Sequence, residues 1–258
     1  MSLRWNKYIA VIGAEVAIRL SDNPIAQTHK LALSSSSNSE ECCATFDTLI
    51  ATLPRSKLPM LDVIEIALSY PYVNHMILPW QDEIISPADR LAYAESMLEQ
   101  HYGIIRSDWY CEISQEKFGC PAIASAIRRD IVDEIIVVCK QQKIRLQRIQ
   151  TLLSDTINRH PGVLHTDAVF VVRQSESYEF AFRQDGIWRN AFTLPGVGQE
   201  PALCILSASI LANFFPENVY SSDYTVTSEL PVIAPTRAVT HSSQIEVIVS
   251  QESTHASI

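Results

Sequence analysis

At 258 residues with 47% apolar content, the chain has material for one large domain or two small ones around a shared core. Twenty basic residues against 29 acidic ones give a formal net charge of −9, which opposes extended contact with a phosphate backbone and argues against a nucleic-acid partner. No apolar run approaches the roughly 18 residues of a membrane span, and no basic start leads into a long apolar core, so the sequence reads as soluble and unexported.

The six cysteines, at 42, 43, 111, 120, 139 and 204, form no C-x-x-C pair and no dense framework. Reduced thiols in a cytosolic protein are the expectation. Glycine is scarce: there are seven, where average usage of about 7% would place roughly 18. That scarcity weighs against phosphate-binding loops.

In chain order, residues 8–12, 16–20 and 29–33 read as short strands, with a turn at Gly13. Residues 34–38 are a serine-rich loop. Ser37 and Glu40 have capping-box spacing, opening a helix with Cys42, Phe46, Leu49, Ile50 and Leu53 on one face and Pro54 as its stop. Residues 61–68 are apolar on both sides and read as a buried strand, followed by a strand or edge at 73–78. Ser86-Pro87-Ala88-Asp89 starts a second helix with Leu91, Ala94, Leu98 and Tyr102 inward and Gly103 at its end. A strand at 109–113 leads to a long helix expected over 121–142, with Ile123, Ile127, Ile131, Ile135 and Val138 in line. Residues 143–150 read as a strand and 151–159 as a helix.

Beyond Pro161 the opening order returns. Strands are expected at 168–172, 178–184 and 187–192, the last two joined by the hairpin pair Asp185-Gly186. A helix begins at Pro201 and carries Ile205, Ile210 and Phe214, and residues 217–220 close the unit as a strand. The polar tail after Ser221 has one expected strand, at 244–249. The expected division is a first half over 1–80, a helical and stranded middle over 81–160, a second half over 161–220 and a tail over 221–258.

Three strands, a helix and a strand, used twice with helical material between, resemble the actin-like fold, an α/β architecture of two ribonuclease-H-like halves. With the local flavour of Leu78-Pro79-Trp80, Tyr102-Gly103 and residues 143–150, the chain looks like the actin-like cytoplasmic proteins of type IV pilus and type II secretion assembly, the PilM, MshI and GspL group. The resemblance implies mixed sheets flanked by helices. It also implies a cytoplasmic scaffold at the inner face of the inner membrane, engaging a peptide or domain of an inner-membrane assembly protein and reaching the membrane only through that partner.

The family's nucleotide site needs two short phosphate loops. In the first, the family pattern is an Asp, then Ile-Gly, then small hydroxyl residues; here the stretch is Val11-Ile12-Gly13-Ala14-Glu15-Val16. Only Gly13 fits: Val11 replaces the acid, Ala14 lacks a hydroxyl, and Glu15 puts negative charge where phosphate oxygens would sit. The second comparable turn, 173–177, has no Asp-x-Gly before it. ATP and Mg are therefore not expected as cofactors. Residues 8–12 hold no acid either, which weighs against a ribonuclease-H-type nuclease built on metal-bound carboxylates. The expectation is a pseudo-ATPase with no catalytic residues, acting by protein binding through the addition of an extended segment to a groove or sheet edge. The alternatives are an ATP-binding assembly factor with atypical phosphate loops, or an enzyme with dispersed catalytic residues.

The remaining motifs are weaker. Gly196 and Gly198 precede the helix at Pro201 and form a degenerate candidate phosphate turn. His160, His165 and Asp167 cluster around Pro161 but match no helical or strand ligand pair, so no metal site is expected. Arg128 and Arg129, in the most basic part of the chain, and the aromatic residues Trp80 and Tyr102 are candidate partner contacts.

Overall fold

The structure, a computed structural model, describes residues 6–20, 29–33, 38–56, 61–114, 118–159, 167–196, 200–223 and 234–237. Strands β1 (Asn6–Ile12), β2 (Glu15–Leu20) and β3 (His29–Ala32) form an antiparallel meander. Helix α1 (Ser39–Thr52) then returns the chain so that β4 (Asp62–Leu68) pairs parallel to β1. The second half repeats this path: β9 (Ala168–Arg173), β10 (Ser177–Gln184) and β11 (Ile187–Pro195) form a meander, and α5 (Pro201–Ala212) leads to β12 (Asn218–Asp223), which pairs parallel to β9. Between the halves lie β5 (Val73–Leu78), α2 (Pro87–Tyr102), β6 (Trp109–Ile113), β7 (Ala122–Arg128), α3 (Arg129–Gln141), β8 (Arg145–Thr151) and α4 (Leu152–Arg159). A last strand, β13 (Ala234–Arg237), is added to the edge at β12.

Three sheets result, in the orders β3-β2-β1-β4-β8, β11-β10-β9-β12-β13 and β5-β7-β6. This is the mixed α/β, actin-like architecture that the element order implied. One face of the first sheet packs under α1 and α3, where Tyr8, Ile12, Ile64, Phe46, Ile131 and Ile135 are fully buried. Side chains of this size contribute roughly 1.5–3 kcal/mol each when taken fully out of water. A second core joins Ala67 of β4 and Leu152 and Leu153 of α4 to Phe170, Trp188 and Tyr220 of the second sheet. The outer face of that sheet, with Phe180 and Phe182, is covered by α5 through Cys204, Ile205 and Ala208. The three-stranded sheet makes its own small core with Ala94 and Leu98 of α2.

Several local expectations are corrected. Residues 122–128 are the strand β7, buried over 122–127, and the helix expected over 121–142 starts only at Arg129. The cap of α1 is Asn38, whose Oδ1 accepts from Glu40 N at 3.1 Å and Glu41 N at 3.4 Å; Ser37 lies outside the described residues. Leu91 is exposed while Ala94 and Leu98 carry the inner face of α2, and Ile210 is exposed on α5. The expected strand at 244–249 lies outside the described residues, and β13 had no counterpart in the reading. The start and stop of α2 are as expected: Ser86 Oγ accepts from Asp89 N at 3.1 Å, Pro87 opens the helix, and Gly103 closes it at φ 65°.

Candidate functional site

The site is the junction between the halves, where the fold brings together two turns that sequence reasoning placed as phosphate loops. The first is the β1–β2 turn. Gly13 N donates to Glu15 O at 2.9 Å, and Ser69 N, just past β4, donates to Ile12 O at 3.0 Å. Gly13 and Ala14 are buried, and Glu15 is half-buried at the start of β2. The second is the β9–β10 turn, where Gln174 N donates to Ser177 O at 2.8 Å.

These two turns touch. The Gln174 amide Nε2 donates to Ser69 Oγ, and its Oε1 fills the space into which a Cβ on Gly13 would project. Such a Cβ would also lie 3.0 Å from Tyr70 O and 3.2 Å from Ser69 Oγ. A side chain here would have to displace the Gln174 amide of the second half and press on Tyr70 O.

A few residues away, Glu179 of β10 reaches across the same junction. It is fully buried, its Oε1 accepts from Tyr70 N at 3.1 Å, and its Oε2 faces His75 Nε2 of β5 at 3.5 Å. His75, also fully buried, meets Ser125 Oγ of β7 through Nδ1 at 2.9 Å. The order serine, histidine, carboxylate has the group types of an acyl-transfer triad. Ser125 is only 2% exposed, so its hydroxyl meets no substrate in this conformation. The chain of contacts ties the turn after β4, the second sheet and the three-stranded sheet to one carboxylate. Glu112 of β6 stands opposite Ser125 in the strand register, and burial holds its carboxyl above the usual range while the field of His75 lowers it.

Gly196 N donates to Glu176 O at 2.9 Å, and a Cβ there would overlap the Tyr178 ring. Its close approach is thus to protein. Gly198 lies outside the described residues, as do His160 and His165, while the described Asp167 accepts from Asp185 N at 2.9 Å. Among the described residues no group of three His, Cys, Asp or Glu side chains could hold a metal ion. Burial pushes the Cys42 thiol up to about 11 and those of Cys43, Cys111 and Cys139 to about 12, away from thiolate chemistry.

Arg128 and Arg129 mark the step from β7 into α3. Arg128 Nε donates to Asp130 Oδ1 at 3.1 Å, and its guanidinium lies 5.7 Å from the Tyr72 ring. Arg129 Nε donates to Ser107 O at 2.7 Å and its guanidinium sits 4.0 Å from the centre of the Tyr110 ring, whose hydroxyl donates to Asp133 Oδ1 at 3.1 Å. Together these side chains line the seam between β6 and α3. Among the described residues β6 pairs with β7 alone, which leaves its other edge open. Trp80 stands elsewhere, 4.7 Å from the exposed Phe118 ring and 5.1 Å from the Arg90 guanidinium. Tyr102 donates its hydroxyl to His75 O and packs with the small core of the three-stranded sheet.

Ser69, His75, Gln174 and Glu179 were not singled out in the sequence. A signal existed for two of them: His75 and Glu179 are polar residues inside apolar strands, where an ionisable side chain requires a partner.

Neither a protein-family model nor a curated protein matches the chain. Solved structures do. A Bacteroides thetaiotaomicron protein with an actin-like ATPase fold and unknown function superposes at TM-score 0.55 and 9% identity, covering 87% of this chain and 83% of that one. The cytoplasmic domain of EpsL, an inner-membrane component of the type II secretion system of Vibrio cholerae, superposes at TM-score 0.55 and 8% identity, covering 95% and 90%. The PilM-PilN type IV pilus biogenesis complex gives TM-score 0.48 and 14% identity, covering 83% and 67%. The chain has the actin-like fold, and the structures it resembles include a type II secretion protein of the group to which its sequence pointed. No helix among the described residues is long and apolar enough to cross a membrane.

Proposed function

We propose that this protein is a non-catalytic, cytoplasmic scaffold of a pilus or secretion assembly machine, working at the inner face of the inner membrane by binding an extended segment of an inner-membrane partner. The observation that carries this reading is the junction of the two turns. In an actin-like nucleotide site they would bracket phosphates, and here Gln174 bridges them, with the Glu179 carboxylate accepting from a backbone N–H beside it. A buried carboxylate repels phosphate, and displacing it would leave His75 facing an empty position. Likeness to the EpsL cytoplasmic domain supports the setting. The open edge of β6, with Arg129 and Tyr110 beside it, is the surface for the partner: backbone hydrogen bonds give affinity and the seam gives side-chain selectivity.

Two measurements test this. Millimolar Mg-ATP is expected to leave the melting temperature within 1 °C. Ligand at a hundredfold over its Kd would add about 2.7 kcal/mol, a shift of roughly 5–10 °C for a chain of this size, and such a rise would make the ATP-binding reading the leading one. For the partner, a photoreactive residue at Tyr110 in cells is expected to capture an inner-membrane protein, with the yield reduced about tenfold by Arg129→Glu. Capture that is indifferent to Arg129 would remove β6 as the docking edge.

A further inference from the structure

The hydrogen-bond phase of β6 fixes what each of its residues offers at the open edge. Ser114 N, one residue past the strand, donates to Ile123 O of the neighbouring strand at 2.9 Å. In an antiparallel ladder alternate residues exchange both backbone bonds with their neighbour, so Glu112 and Tyr110 also turn theirs to β7. Cys111 and Ile113 therefore present N–H and C=O outward, as does Trp109, whose O accepts from Arg129 Nη2 at 3.5 Å. The side chains alternate as well. Trp109, Cys111 and Ile113 lie on the face that packs with α2, and Tyr110 and Glu112 lie on the other, Glu112 in one row with Ser125 and His75.

Glu112 stands on this edge without a partner. It is half-buried, and among the described residues it makes no hydrogen bond or ion pair. A carboxylate so placed has lost much of its water and gains from a cation brought to it. The opposite face of the strand is apolar, continuing the core under α2 out to the edge. Arg106 ties the turn before β6 to α2, donating to Ala92 O at 3.1 Å and pairing with Glu95 at 2.8 Å, and Ile105 beside it is 65% exposed. One strand edge thus offers an unpaired acid on one face and apolar surface on the other.

Resting on the reading of β6 as the docking edge, we infer that the segment it takes carries a Lys or Arg opposite Glu112, with an apolar residue immediately before and after. An antiparallel segment bonded to Cys111 and Ile113 meets Glu112 in a non-hydrogen-bonded pair, where Cα atoms approach to about 4.5 Å and side chains are closest. An ammonium or guanidinium at that position reaches the carboxylate. Its two neighbours point to the α2 side and extend the apolar face there. Arg129 does not take the cation's place: its guanidinium is held at the other end of the strand by Ser107 O and the Tyr110 ring. A second copy of the chain is disfavoured, because two β6 strands paired antiparallel about Cys111 would set each Glu112 opposite Tyr110 and leave both carboxylates without a cation. Glu112 is thereby a specificity determinant, selecting among segments whose backbones all bond the edge equally well.

The test selects from a random peptide library on the full chain, with photoreactive p-benzoylphenylalanine at position 110 to confirm that selected peptides lie on β6. Selected peptides are expected to share a Lys or Arg between two apolar residues. Replacing that Lys or Arg by norleucine should weaken binding about tenfold, and Glu112→Gln, in a chain whose circular dichroism is unchanged, should abolish the difference between the two peptides. Selection on Glu112→Lys should turn the preference to Asp or Glu. Peptides that crosslink at position 110 without a cation preference, or with one that Glu112→Gln leaves intact, would overturn this inference and leave β6 as the docking edge. Failure of every selected peptide to crosslink there would remove the docking edge and the inference with it. A crosslinked product of twice the chain's mass would assign the edge to a second copy and also overturn it.

Discussion

A methyl group at Gly13 would have to displace the Gln174 amide, which itself holds Ser69. Gly13→Ala is therefore expected to cost about 1–3 kcal/mol through overpacking. Gln174→Ala should cost about 1 kcal/mol by releasing the Ser69 hydroxyl. Because the second change makes room for the first, the double variant should be less destabilised than the sum, a coupling that urea midpoints of the four proteins would measure. Additive costs would mean that the two turns do not share this space. Glu179 makes a sharper case. Glu179→Ala leaves the buried Tyr70 N–H without its acceptor and removes the carboxylate that faces His75, at about 1–3 kcal/mol, while Glu179→Gln keeps an oxygen for Tyr70 and should lose less than half of that. The contrast explains what was legible at this scale. Val11, Ala14 and Glu15 announced from the sequence that the phosphate loop departs from the family pattern, because a motif is local. Gln174 and Ser69 lie 105 residues apart and Glu179 and Tyr70 109, and no short-range pattern encodes a contact across that distance.

Among elements, the helices with chemical punctuation were the readable ones. Ser86, Pro87 and Gly103 bound α2 as their chemistry requires. Gly103 sits at φ 65° with nothing within 4 Å of a Cβ placed there, so Gly103→Ala should cost only the backbone term, about 1 kcal/mol, with no change in packing. A loss above about 3 kcal/mol in a thermal melt would show that the position has a steric role as well. The failure at 121–142 has an equally definite cause. Ile123 and Ile127 of β7 fall in phase with Ile131 and Ile135 of α3, so a period of four runs unbroken across a strand–helix boundary. Strand β7 lies between β5 and β6 with residues 122–127 all buried, so it lacks the alternation by which strands are recognised, and its alanines favour helix when read locally. Only the pairing of β5 and β6 on either side distinguishes the two states.

At the scale of the molecule, the first sheet and the helix that follows it are held by polar as well as apolar contacts. Glu65 of β4 takes Lys7 of β1 at 2.9 Å and Arg148 of β8 at 3.2 Å, and Arg148 extends to Asp155 of α4 at 3.4 Å. Burial opposes ionisation of Glu65, but the hydrogen bonds and fields of Lys7 and Arg148 outweigh it and hold its carboxyl below the usual 4.5. A group depressed in this way adds stability above its unfolded value, and that contribution is lost as the pH falls through the folded one. The protein should lose stability below pH 4.5, and Glu65→Gln should flatten that slope while lowering stability at pH 7. Urea midpoints taken between pH 7 and pH 3 would read both effects, and parallel slopes for the two proteins would remove Glu65 as a source of acid sensitivity.

The pairing of β4 with β8 has a consequence for how the chain is made. Strand β4 is buried along its whole length and lies between β1 and β8, yet β8 begins at Arg145, after the intervening residues 69–144. At about 5–20 residues per second, the ribosome needs roughly 4–15 s to cross that interval. During that time the apolar edge of a half-built sheet is without its neighbour, and parallel closure over such a distance is among the slower folding steps. The nascent chain is most exposed to aggregation between the synthesis of its fourth and eighth strands, and a chaperone that holds this edge would act there.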